Sequence, residues 1–134
     1  MNNFLEEMMA AVQRTEGLQN CRCIQTDSGG MVPFPVARPI ICFALEAADR
    51  LDYFLGYDEV LFGSEKLKVS VLCEEKKGGS FCETLAKKVC QALLLADTEK
   101  NITSVAVEKC MYDKANFAYK VIMRFSLREH TQRL

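Results

Sequence analysis

From Phe117 to Arg128 the chain alternates with a period of two. Phe117, Tyr119, Val121, Met123, Phe125 and Leu127 fall on one side, with Ala118, Lys120, Ile122, Arg124, Ser126 and Arg128 on the other. Alternation over this length predicts a long strand with one covered face, central to an antiparallel sheet. KLKVSVLCE repeats the pattern: Leu67, Val69, Val71 and Cys73 share a face, Lys66, Lys68, Ser70 and Glu74 oppose them, and Leu72 breaks the rule. ITSVAVEK alternates through Val105 and Val107. CRCIQT (21–26) and ICFALEA (41–47) predict two further strands.

Two segments follow a 3.6-residue period instead. In Asn3–Thr15 the residues Phe4, Leu5, Met8, Met9 and Val12 form one apolar stripe; Asn3 suits the N-cap and Gly17 the stop. The methionines of that stripe suit a core or a pliable binding face. Ser80–Leu95 predicts a second helix, with Phe81, Leu85, Val89 and Leu93 on its apolar side beside Cys82, Ala86 and Cys90. Ser80 and Glu83 have the spacing of a capping box, and Gly78 and Gly79 allow a sharp turn into it.

The predicted order is α-β-β-β-α-β-β: an α+β fold with a mainly antiparallel sheet, and an N-terminal and a central helix packed on one face. The 134 residues fit one domain, 1–134, with loop-rich segments at 27–39 and 49–64. The first of these holds all three prolines. The second contains YFLGYDEVLF, whose aromatics follow neither period. Tyr53, Phe54, Tyr57 and Phe62 are candidate contacts to another subunit or a tube, or else belong to a loop that packs back on its own domain.

Composition narrows the function classes. Seventeen basic and eighteen acidic residues give a formal charge of -1, which argues against nucleic acid as the main partner. The longest apolar run is far short of the ~20 residues that span a bilayer, so no membrane role is expected. MNNFLEEMMAA carries acidic residues where a signal peptide has basic ones, so export by that route is not expected. Seven cysteines, an odd number, point to reduced thiols in a cytoplasm-like compartment. Cys21-x-Cys23 lacks a second knuckle and His130 is the only histidine, so no metal site is expected.

Candidate chemistry is sparse. K-K-G-G-S places its lysines before the glycines, the reverse of a phosphate loop, which leaves only the free amides that any helix start offers. Cys82 falls in the first helical turn, where the dipole lowers a thiol pKa. It has no Cys-x-x-Cys partner, adjoins Glu83 and stands eight residues from Cys90 on the apolar side, as a packing residue would. Lys120, Arg124 and Arg128 share a strand face and read as a wet surface rather than a nucleic-acid stripe. No catalytic residue, enzyme activity or cofactor is expected. A small cytoplasmic module binding a peptide or metabolite through Asp27–Pro39 is the alternative to a structural role.

The succession KLKVSVLCEEKKGGS, FCETLAKKVCQALL, ITSVAVEKC and NFAYKVIMRFSLRE, Leu67 to Glu129, resembles the tail terminator (tail completion) proteins of long-tailed bacteriophages and prophages. The resemblance implies an α+β structural subunit of a self-associating ring, commonly hexameric. That ring caps the finished tail tube and joins it to the head side, with tail-tube and head–tail joining proteins as partners. It further implies assembly in the host bacterial cytoplasm and a place in the virion tail. The family carries no catalytic residues.

Overall fold

The computed structural model describes residues 2–26, 36–46, 51–53, 59–62, 65–128 and 130–133. Helix α1 (Asn2–Arg14) is followed by strands β1 (Arg22–Gln25), β2 (Ile40–Glu46), β3 (Leu51–Tyr53), β4 (Glu59–Phe62) and β5 (Lys66–Glu74). A 3-10 turn at Glu75–Lys77 leads into α2 (Gly79–Ala96), and then come β6 (Ile102–Val107), β7 (Met111–Asp113), β8 (Ala118–Leu127) and β9 (His130–Arg133).

The main sheet has six strands in the order β1-β2-β5-β8-β6, with β7 beside β6 on the same side of β8. The β1–β2 pair is parallel and the other pairs are antiparallel. Reading α1, β1, β2, β5, α2, β6 and β8 along the chain returns the expected order. The segment 49–64 departs from its expected loop character. It holds β3 and β4, which pair with each other and, through β4, with β9.

Leu67, Val69, Val71 and Cys73 of β5 and Val121, Met123, Phe125 and Leu127 of β8 face the helices, all at most 2% exposed. Phe4, Leu5, Met8 and Val12 of α1 and Cys82, Leu85, Ala86, Val89, Ala92 and Leu93 of α2 complete this core. The α1 stripe is therefore core, with Met9 at its margin. Burying each such aliphatic side chain contributes about 1.5–3 kcal/mol.

Leu72, the exception to alternation on β5, has a physical reason. On the opposite sheet face it joins Val36, Ile40, Cys42 and Ala118 in a second, smaller apolar cluster. That face is half covered at one end and charged at the other.

Three local expectations are corrected. Helix α1 begins at Asn2, so Asn3 lies inside it rather than capping it. Gly78, at φ 85°, takes the N-cap of α2 without a side-chain cap, and Ser80 is exposed two residues too late to serve. A left-handed residue at that point needs glycine. Phe117 and Phe81 leave the core side, at 57% and 40% exposed. Phe117 has φ 48° in the turn between β7 and β8, so the alternation starts only after it.

Candidate edge and groove for self-association

β6 ends one side of the main sheet and contains no charged residue, proline or glycine. Its register pairs Val105 with Phe125 and Val107 with Met123, so both valines point to the helix side. The Glu108 amide donates to the Ile122 carbonyl (2.9 Å). Antiparallel pairs alternate, so the backbone groups of Glu108 and Ala106 point toward β8, and those of Val105 and Val107 point outward from the edge. Val107 is 58% exposed, because α2 does not reach over it.

Between α2 and this edge runs a groove of about 300 Å³. Val121 and Met123 form its floor, Ala86 and Cys90 its helix wall, and Val107 and Cys110 its strand wall. Glu83, Lys87 and Lys109 rim it. Tyr112 of β7 meets Tyr119 of β8 edge to face, with centroids 5.4 Å apart. The Lys77 ammonium lies 5.5 Å over the Phe81 ring. The first contact ties β7 to β8 and the second ties the 3-10 turn to the first turn of α2, while the Cys110 thiol approaches the Gly79 carbonyl at 3.8 Å.

Cys82 sits under this groove and is fully buried. Its thiol approaches the Val71 and Tyr119 carbonyls at 3.4 and 3.5 Å. Hydrogen bonding with the Cys73 thiol, followed by burial, pushes the Cys82 thiol far up. This opposes the dipole effect expected from helix position, and the side chain belongs to the core cluster. All seven cysteines are free, and burial pushes Cys23 and Cys42 up to about 11.

With iodoacetamide at mildly alkaline pH, peptide mapping is expected to find the half-exposed Cys23, Cys90 and Cys110 alkylated well before Cys82. Cys82 labelling as fast as a free thiol would contradict its buried, protonated state. Because the folded-state values are raised above the ordinary 9.0, the thiols' contribution to stability is complete below that pH and declines above it.

On the opposite sheet face, the basic stripe meets carboxylates. Arg124 donates to Glu46 (3.1 Å) and Glu108, and Lys120 lies 3.4 Å from Asp113. Burial pushes the Asp113 carboxyl up, but hydrogen bonds from Asn116, Lys120 and the Ala115 amide hold it below the usual range. Arg128 donates to Asn101 (3.0 Å). These pairings fit the wet-face reading. Glu74 is different: it is 8% exposed, and its Oε1 has no hydrogen-bond partner among the described residues.

Of the contact residues expected from sequence, Tyr53 lies in β3 and Phe62 in β4, while Phe54 and Tyr57 lie outside the described residues. The structure describes none of these four side chains. In the alternative ligand loop Asp27–Pro39, residues 27–35 also lie outside the described residues. The β6 edge was not among the candidates read from the sequence. Its signal was the charge-free run ITSVAV. Among the described residues no three metal-ligating side chains converge, and no helix is long and apolar enough to cross a membrane. The chain matches no protein-family model and none of the curated proteins compared with it.

Proposed function

We propose that this chain is a structural subunit that works by self-association and docking, in the manner of phage tail terminator proteins. In this reading it forms a ring that closes the tail tube and presents a joining surface to the head side, assembled in the host cytoplasm. The observation that carries the reading is β6, an uncharged edge strand with a 58% exposed valine beside an apolar groove. Proteins usually blunt such an edge with lysine, proline or a bulge, because its free backbone groups template pairing with another chain. The edge has one irregularity, at Ile102/Ser104, which leaves the run from Ser104 to Val107 regular. Along the chain β5, α2, β6 and β8 succeed one another in the order that the resemblance rests on.

Size exclusion with light scattering, over a concentration and salt series, is expected to return a discrete mass of several 15.1 kDa subunits. Val107→Lys, which sets a charge at both the edge and the groove, is expected to shift that species to monomer. A wild-type protein that stays monomeric at high concentration and with tail tubes present would contradict the reading.

A second reading draws on the groove alone. Its volume of about 300 Å³ and apolar floor suit a small peptide or metabolite. A thermal-shift ligand screen with no stabilised melting temperature counts against that binding module.

A further inference from the structure

We propose that copies of this chain join head to tail, the β6 edge of one pairing with the β1 edge of the next, in the register that sets Val107 against Cys23 and Glu108 against Arg22. This interface rests on the self-association reading and specifies it.

Strand directions come first. β1 runs with β2, and each step from β2 to β5, β8 and β6 reverses direction. β1 and β6 therefore end the sheet on opposite sides and run oppositely. Among the described residues, neither has a strand on its outer side. A second copy placed beside the first with its strands aligned brings β6 against β1 as an antiparallel pair, the more stable ladder. Because the two edges differ, the contact is heterologous and repeats from copy to copy, so a rotation that closes makes a ring.

Backbone parity then restricts the register. The Arg22 amide donates to the Pro39 carbonyl (2.8 Å) and the Thr26 amide to that of Phe43 (2.8 Å). In this parallel ladder the even-numbered residues of β1 bond to β2, leaving the backbone groups of Cys23 and Gln25 free at the outer edge. Val105 and Val107 are their counterparts on β6. Setting Val107 opposite Cys23 and Val105 opposite Gln25 forms hydrogen-bonded pairs at both positions.

Side-chain faces agree. Cys23 is in register with Ile41, and Val107 with Met123, and all four lie on the helix side. On the other face, Ile24 falls opposite Ala106, and Arg22 opposite Glu108. Arg22 and Glu108 are both exposed. Glu108 accepts from Arg124 at one oxygen and has a second for another guanidinium. Sliding by two residues in either direction keeps the backbone parity but moves Arg22 opposite Ala106 or Cys110 and loses the charge pair. A slide of one residue reverses every face.

Charge reversal tests the register. Arg22→Glu and Glu108→Arg each set like charges across every interface, and each alone is expected to need at least about tenfold more protein to assemble. An equimolar mixture of the two sets opposite charges across every contact between unlike copies, and is expected to regain the wild-type mass by light scattering. Far-UV circular dichroism checks that each variant is folded. If wild-type protein assembles and both variants assemble equally well, this interface is wrong while self-association stands. If the single variants are folded monomers that the mixture fails to rescue, the Arg22–Glu108 pairing is overturned. If wild-type protein never assembles, the self-association reading fails and this proposal with it.

Discussion

Phe125→Ala is expected to lower the free energy of unfolding by about 3–5 kcal/mol, which would be a large part of the stability of a domain of this size. Phe125 is fully buried near the C-terminal end of the ten-residue strand β8. Its register neighbours are Leu67 on β5 and Val105 on β6, so the ring ties the middle of the sheet to its edge strand. Alanine removes the aromatic surface and leaves a void that two hydrogen-bonded strands cannot collapse to fill. The chain has no tryptophan, so urea unfolding followed by far-UV circular dichroism is the suitable readout. Measurements belong at a fixed protein concentration, because assembly adds to apparent stability. A shift in midpoint equivalent to under 1 kcal/mol would mean that the core around Phe125 is less tightly packed than described.

Asp97→Ala is expected to cost about 2–4 kcal/mol, with most of the damage at the start of β6. Asp97 closes α2, its own amide donating to the Leu93 carbonyl at 3.1 Å. Its carboxylate accepts from the Asn101 amide at 2.9 Å and the Ile102 amide at 2.7 Å. One buried side chain, 5% exposed, thus ends the helix, shapes the turn and starts the edge strand. Alanine leaves two amides without their acceptor, and hydrogen bonds to a charged group are among the stronger ones. Hydrogen exchange at Asn101 and Ile102 is expected to accelerate more than at β5 amides. Uniform acceleration along the chain would indicate a global loss instead, and unchanged exchange would remove Asp97 from this role.

Where one face of an element is buried against a broad surface, its pattern was legible in the sequence. β5, β8 and the two helices announce themselves because periods of two and 3.6 persist over many residues. Leu72 looked like noise and was instead the sign of a second cluster on the opposite face. β3 and β4 were not legible: they span three and four residues, too few to show a period, and β4 pairs with β9, far along the chain. The α2 cap misled because serine and glycine both suit a helix start, and only the φ of 85° at Gly78 separates them. At the candidate site, sequence drew attention to aromatic residues, whereas the β6 edge attracts through what it lacks. Absence of charge becomes meaningful only once the strand is known to end the sheet.

The placement of α1 against α2 bears on how the chain is made. The stripe Phe4, Leu5, Met8 and Val12 is buried in the finished protein by a core that includes Leu85, Val89 and Leu93. During synthesis α1 emerges long before that helix does. At about 5–20 residues per second, the roughly eighty intervening residues correspond to several seconds in which the stripe has no permanent cover. Early in its life, the nascent chain therefore carries a methionine-bearing amphipathic helix available to whatever apolar surface comes first. The speed of translation between the two helices, as much as the strength of the core, sets how much of the product escapes misassociation.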